Sequence, residues 1–300
     1  MQFKKITTAG SGVLGAQVTF HVAFHGYQVS LYDLNEEVLT KAKARFVQLK
    51  AIYINELNAT TQQVDDALAR IAFFTDLSEA VKDADLLIES IPEDPAVKKS
   101  FFAQLAQVAP AKTVFLTNSS TLVPSRFAKI SGRPEKFLAL HFANEIWKRN
   151  TAEIMGHKNT EPEIVKEIVQ FAKTLNMVPI ELRKEQSGYV LDSLLIPLLN
   201  AAMNLLVNEV ADAETIDKAW VIGSGAELGP CAILDLVGLT TVYNIHRISA
   251  VRTKNPMELK KMNYLKENFI DQGKLGKISG QGFYTYPNPA FEQPDFYKAK

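Results

Sequence analysis

Gly10-Ser11-Gly12-Val13-Leu14-Gly15 decides how this chain is read. A short β-like run, Phe3 to Thr8, precedes it, and an apolar helix-like run, Val13 to Phe24, follows. A second strand-like run, Gln28-Val29-Ser30-Leu31-Tyr32, leads to Asp33, eighteen residues after Gly15. Strand, glycine loop, helix, strand and acid in that order form the dinucleotide-binding fingerprint. Each part has a physical task. Gly10 permits the tight turn. Gly12 lets a pyrophosphate approach a backbone that has no Cβ, and Gly15 lets the helix pack against the strand. The helix start, Val13 and Leu14, offers unpaired N–H groups and a positive dipole end to the phosphates. Asp33 can accept both ribose hydroxyls of NAD, whereas a 2′-phosphate would meet its charge. Leu34-Asn35 follow it and no Arg does, which favours NAD over NADP.

Outward from this loop, strand-like and helix-like runs alternate. A long helical stretch, Glu36 to Leu57, and a second, Thr61 to Arg70, read as a helical hairpin inserted after the second strand. Strand-like runs follow at Ile71-Phe74, Asp85-Ile91, Thr113-Thr117, Phe137-Phe142, Thr151-Met155 and Val178-Leu182. Helices are expected at Pro95 to Val108 and Glu161 to Leu175. The pattern predicts an α/β fold, a Rossmann-like, doubly wound, mostly parallel sheet. Near Arg183 the texture changes, with Glu185-Gln186-Ser187-Gly188 as the hinge, and helical patterns dominate to about Asp271. The expected domains are residues 1–183, with the hairpin at about 36–70, and a smaller all-helical domain at 184–300. In the latter, Leu194-Leu195-Ile196-Pro197-Leu198-Leu199 is apolar almost all round, so it must be buried in its own core or against another subunit. The aromatic, proline-rich tail after Pro287 is expected to hug the surface.

Composition narrows the partners. Lys+Arg and Asp+Glu both number 33, so no global field gathers nucleic acid or anionic membrane. Cys231 is the single cysteine and cannot form an intramolecular disulfide, as suits a reducing cytosol. No apolar run approaches the roughly 20 residues of a membrane helix. The N-terminus reads as a domain strand rather than a signal segment. The expectation is a soluble cytoplasmic protein.

Among residues able to do chemistry, His141 closes the run Phe137-Leu138-Ala139-Leu140-His141. In a doubly wound sheet, residues at strand ends face the ligand crevice. A histidine there suits acid–base work, and from spacing alone a structural histidine fits equally well. Glu153 lies twelve residues on, in the next strand-like run, where two neighbouring strands could bring carboxylate and imidazole together. Asn118-Ser119-Ser120-Thr121 follows a buried strand, so its hydroxyls could bind a substrate oxygen or cap a helix. Ile91-Pro92-Glu93-Asp94-Pro95 could line the nicotinamide end or simply start a helix. Lys98, one turn on, could reach phosphate or be solvated. The other histidines show no metal-ligand spacing with His141, and His21 and His25 lack a third ligand.

Seven segments together resemble the NAD-dependent L-3-hydroxyacyl-CoA dehydrogenases over nearly the whole chain. They are the glycine loop, Ile91-Pro92-Glu93-Asp94, Asn118-Ser119-Ser120-Thr121, Leu140-His141-Phe142-Ala143-Asn144, Gly188-Tyr189-Val190, Asp235-Leu236-Val237-Gly238-Leu239 and Gly280-Gln281-Gly282-Phe283-Tyr284. The resemblance implies a Rossmann-like domain, a helical dimerisation domain, and a homodimer working in fatty acid metabolism. It implies that His141 takes the hydroxyl proton as hydride goes to NAD, with Glu153 orienting it. It implies that Ser120 holds the substrate oxygen, and that Glu93, Lys98 and Asn144 line the cofactor–substrate site.

The chain also departs from that family. Glu145-Ile146-Trp147 replaces the usual Pro-Val after Asn144, and Trp147 with Asn150-Thr151-Ala152-Glu153 looks closer to the diketoreductase branch, which reduces β-keto carbonyls not bound to CoA. Asp192 replaces an active-site asparagine, and an ionised carboxylate cannot donate a hydrogen bond as an amide can. Ile278 stands where the family places a late lysine, with Lys277 one position earlier. The 36–57 helix, which would carry CoA phosphate contacts, has Lys41, Lys43, Arg45 and Lys50 but also Leu49 and Glu56. Three readings follow. The leading one is an NAD-dependent oxidoreductase on 3-hydroxyacyl or 3-ketoacyl groups as CoA thioesters. The second is the same chemistry on free β-keto acids or esters. The third is an NAD-binding protein whose catalysis has decayed at Asp192.

Overall fold

The computed structural model describes residues 3–298. The chain divides into two compact units, Met1–Val190 and Leu191–Lys300.

The first unit is built on one eight-stranded sheet. Its strands are β1 (Lys5–Ala9), β2 (Gln28–Tyr32), β3 (Ile71–Phe74), β4 (Leu86–Glu89), β5 (Val114–Thr117), β6 (Phe137–Phe142), β7 (Thr151–Met155) and β8 (Val178–Leu182). Their order is β3-β2-β1-β4-β5-β6-β7-β8, the doubly wound arrangement expected from the sequence. All neighbours run parallel except β6 and β7, which are antiparallel. Every residue of β4, β5 and β6 is buried. Helices on both faces demand this, and it is why these strands read as continuous apolar runs rather than alternations.

The helices of this unit are α1 (Val13–Phe24), α2 (Glu36–Leu57), α3 (Thr61–Ala69), α4 (Leu77–Val81), α5 (Pro95–Val108), α6 (Ser125–Ala128) and α7 (Pro162–Thr174). Local chemistry fixes their starts. Asn35 caps α2 by accepting from the Val38 N–H, and Thr60 and Gln63 form a capping box on α3. Asp94 accepts from the Ala96 and Val97 N–H groups, with Pro95 in the first turn of α5. α1, unlike these three, has no side-chain cap at Gly12 and no acid in its first turn. Its first N–H groups are therefore open to a ligand.

The second unit contains α8 (Leu191–Val207), α9 (Ala213–Ser224), α10 (Pro230–Val237), α11 (Leu239–Thr253) and α12 (Pro256–Asn268). Met203, Cys231, Leu234, Leu239 and Leu265 centre its core. One expectation is corrected here and another is narrowed. The tail does not merely hug the surface: Phe291 and Phe296 are buried in this core, and Phe291 meets Tyr284 edge-on at 4.9 Å. The apolar run 194–199 was expected to be buried in its own core or against another subunit; within the chain Leu199 packs on the core, while Leu194 is 70% and Ile196 48% exposed, which leaves the second alternative. Among the described residues, no helix is long and apolar enough to cross a membrane.

Candidate active site

The carboxyl ends of β1, β2, β4, β5 and β6 converge on the crevice side of the sheet, where ligands of such folds bind. After β1, Gly10 has φ +94, and a Cβ on it would lie 2.5 Å from the Ser90 carbonyl oxygen. A Cβ on Gly15 would collide with the Gly10 carbonyl oxygen, so this glycine closes the loop on itself rather than against β1. Gly12 is different: no protein atom lies within 4 Å of the place its Cβ would take. The protein does not need a glycine there, whereas a close-lying pyrophosphate would. With the uncapped start of α1 at Val13 and Leu14, these residues fit a dinucleotide.

Asp33 follows β2. Its Oδ2 accepts the Ser11 N–H at 2.7 Å and the Ser11 hydroxyl at 2.6 Å, and its Oδ1 accepts the Leu34 N–H at 2.8 Å. The acid after β2 is thus bonded to the glycine loop.

His141 and Glu153 face each other directly across the β6–β7 ladder. His141 Nδ1 lies 3.1 Å from Glu153 Oε2, and the Val190 N–H donates to Glu153 Oε1 at 3.0 Å. An ionised carboxylate only accepts, so Nδ1 carries the proton of the neutral ring and Nε2 is left as an acceptor. Ser120 Oγ stands 3.0 Å from that Nε2. Tyr189 stacks on the imidazole, with ring centroids 4.5 Å apart and planes within 9°, and its hydroxyl donates to the Ser119 carbonyl at 2.7 Å. His141 and Glu153 are both buried. The ring is thus fixed in position, in tautomer and in the direction its free nitrogen faces.

The Ser120 loop is held from below. Glu93 Oε1 accepts from the Ser119 hydroxyl (2.6 Å), the Thr121 N–H (2.9 Å) and the Thr121 hydroxyl (2.8 Å). Burial pushes the Glu93 carboxyl up, and these hydrogen bonds outweigh it and hold the group below its usual value. Lys98 is buried rather than solvated. Its Nζ lies 2.5 Å from Glu89 Oε1 and 3.4 Å from Glu93 Oε2. Glu89 also accepts from the Thr117 hydroxyl and the Ile91 N–H, and burial raises its carboxyl despite the ammonium beside it. Asn144 is exposed in the loop after β6. That loop is tied to α1 through Gln17, whose Oε1 accepts the Glu145 N–H at 2.9 Å. Asp192 lies in the first turn of α8, in the second unit.

Sequence reasoning missed Glu89, Tyr189 and Gln17 as supports of the site. Glu89 left a signal, a lone charge closing the wholly apolar run Leu86-Leu87-Ile88. Gln17 sits among the apolar residues of α1 and left only a weak one. The role of Tyr189 depends on a long-range approach that nothing local encodes. Both ring nitrogens of His21 are engaged, Nδ1 with the Tyr53 hydroxyl and Nε2 with the Leu175 carbonyl, and His25 Nδ1 meets the His21 carbonyl. No group of metal-ligating side chains occurs among the described residues.

Together, a glycine loop, an acid after the second strand and a held histidine at a strand end are the arrangement of a nicotinamide-dependent oxidoreductase. Residues 5–186 match the family described as 3-hydroxyacyl-CoA dehydrogenase, NAD binding domain, and residues 188–286 match its C-terminal domain. The chain belongs to the 3-hydroxyacyl-CoA dehydrogenase family and is an NAD-dependent enzyme. It is 31% identical over 289 residues to human mitochondrial hydroxyacyl-coenzyme A dehydrogenase, covering 94% of this chain and 91% of that protein. It is 29% identical over 288 residues to the 3-hydroxybutyryl-CoA dehydrogenase of Mycobacterium tuberculosis, covering 94% and 98%. A solved diketoreductase, described by its dual catalysis of dicarbonyl compounds, superposes with a TM-score of 0.91 at 51% identity, covering 95% of this chain and all of that one.

Proposed function

We propose that this chain interconverts 3-hydroxyacyl and 3-oxoacyl groups, with His141 moving the proton. The observation that supports this most is the His141 ring, whose Nδ1 meets the Glu153 carboxylate while its Nε2 faces the Ser120 hydroxyl. When bound, the nicotinamide supplies the hydride acceptor or donor. In the oxidative direction His141 Nε2 takes the proton of the substrate hydroxyl, while Ser120 holds that oxygen. Glu153, kept in place by the Val190 N–H, stabilises the imidazolium. Gly10, Gly12, Val13, Leu14 and Gly15 hold the pyrophosphate and Asp33 the ribose. Glu93, Lys98 and Asn144 complete the cofactor–substrate wall, Lys98 chiefly by anchoring Glu93. The test is NADH oxidation by acetoacetyl-CoA. His141→Ala is expected to lower turnover about 10³-fold while NADH still binds. Equal rates in the two proteins would remove His141 from the mechanism.

We take the acyl carrier to be CoA, as in the names of the relatives. A second reading, free β-keto acids or esters, is favoured by α2. Glu56 accepts from Trp147 Nε1 at 2.9 Å and Leu49 is buried. Lys41 pairs with Glu37 and Lys50 with Asp65, so these cations are already engaged. A substrate panel decides: reduction of free β-keto esters with no turnover of thioesters selects the second reading. Asp192 is taken as part of a working site. A large gain of activity in Asp192→Asn would instead make it the block. The exposed Leu194 and Ile196 of α8, with Ile245, Ile248 and Val251 of α11, support a homodimer, which sedimentation equilibrium would test. The single buried cysteine and balanced charge support a cytoplasmic setting.

A further inference from the structure

We propose that Arg45 makes the ribose end of the cofactor site a latent 2′-phosphate pocket, which Asp33 alone keeps on NAD(H). This rests on the dinucleotide site described above and extends it. Arg45 lies on α2, and its Nη1 donates to the Ser11 carbonyl oxygen at 3.3 Å. The N–H and hydroxyl of the same Ser11 both bind Asp33. One loop residue thus holds a cation and the ribose-reading acid side by side. No Arg adjoins Asp33 in sequence, and the fold brings one from twelve residues further on.

Arg45 is the unsatisfied cation of its helix. Lys41 is paired with Glu37, Lys50 with Asp65, and the Lys43 ammonium sits 4.7 Å from the centre of the Phe73 ring. Among the described residues, Arg45 is half-buried with no carboxylate at ion-pair distance, and the Ser11 carbonyl is its hydrogen-bond partner. A guanidinium partly withdrawn from water without an anion is costly, and its planar fork suits phosphate oxygens in pairs. The acids on the same rim do not cancel it. Glu36 and Glu37 are exposed, Glu37 is taken by Lys41, and Asp76 accepts from Ser78 and Glu79. Asp33 is the acid that shares the Ser11 contact, and its charge is what a 2′-phosphate would meet first. The competing role for Arg45 is bracing the loop or stacking on the adenine. That role would serve NADH and NADPH alike.

The measurement is cofactor binding, by nucleotide fluorescence and calorimetry, with no turnover required. Asp33→Ser is expected to raise the NADPH:NADH affinity ratio at least ten-fold. Adding Arg45→Ala should lower that ratio again by about ten- to a hundred-fold, the range for hydrogen bonds to charged groups. Arg45→Lys should recover part of it, and added salt should shrink the effect. Competition by 2′,5′-ADP against 5′-ADP isolates the phosphate: the first should gain on the second in Asp33→Ser and lose the gain with Arg45→Ala. Asp33→Asn keeps an acceptor for Ser11 and serves the same comparison should the serine variant not fold. An affinity ratio equal with and without Arg45 overturns the proposal. Failure of the unaltered protein to bind NADH would instead overturn the cofactor site itself.

Discussion

Two regions of this molecule bury carboxylates in dense hydrogen-bond networks, and they end differently. In the helical unit, Asp217 accepts from the Cys231 and Ala232 N–H groups and the Tyr284 hydroxyl. Asp235 accepts from the Phe283 and Tyr284 N–H groups and the Tyr286 hydroxyl. Both carboxyls are raised, first by burial, yet every oxygen is occupied by the chain itself. A Cβ on Gly229 would collide with the Asp217 carboxylate, and one on Gly282 with that of Asp235. In the first unit, Glu153 spends one oxygen on the Val190 N–H and the other on His141. His141 then presents a nitrogen whose partner is a serine hydroxyl, which a substrate oxygen can displace. A network closed on itself is a clamp, whereas one that ends on a titratable ring is what the proposed proton transfer requires. The Asp235 and Gly280–Tyr284 motifs therefore belong to the fold, however recognisable they are in sequence.

The contrast can be tested by cutting each network. Asp235→Ala strands two N–H groups and a hydroxyl, and should cost about 3 kcal/mol. Calorimetry would show this as a lower melting temperature, and an unchanged melt would mean that the clamp is ornamental. Glu153→Gln should lower kcat about 10²-fold, because the imidazolium loses its counter-charge. Its melting temperature should move far less than in Asp235→Ala. If the two variants showed the same balance of rate and stability loss, the distinction drawn here would fail.

A smaller effect comes from His21, a buried histidine outside both networks. Burial foremost, then the charge of His25, lowers its pKa to about 3 from 6.5. Between these values the unfolded chain binds a proton that the folded chain does not. This stability is therefore complete above about pH 6.5 and is lost as pH falls towards 3. The melting temperature of His21→Gln should fall less steeply over that window than that of the unaltered protein. Smallest is cofactor choice: Asp33→Ala should erode the preference for NADH over NADPH by about ten-fold, read from the two KM values.

Much of the first unit was legible because its signals are local. The Gly10–Gly15 loop and the caps at Asn35, Thr60 and Asp94 lie beside the elements they define, so the α1, α2 and α5 bounds read from sequence match the structure. The short α4, started by Asp76, was not recognised because five residues show no period. The tail misled because its prolines suggested surface while its rings pack on Tyr284. At the site, strand ends announced His141 and Ser120. The facing of His141 and Glu153 depended on strand direction, which hydrophobic patterning does not encode. Tyr189 and Arg45 act across 48 and 34 residues respectively, beyond any local pattern, whereas Glu89 left its lone charge as a signal but not its partner, Lys98, nine residues on.

The antiparallel turn from β6 to β7 has an evolutionary corollary. Slipping that pairing by one residue would swing Glu153 to the opposite side of the sheet. Residues 143–150, which join the two strands, have no ladder register to keep and are held by separate contacts, Gln17 to the Glu145 N–H, Glu56 to Trp147 and Asn150 to the Asn176 carbonyl. A lineage could redraft this bend, as the Glu145-Ile146-Trp147 stretch suggests, and change its clientele of carbonyl compounds. The His141–Glu153 pair would stay in place throughout, because the ladder and not the bend keeps it aligned.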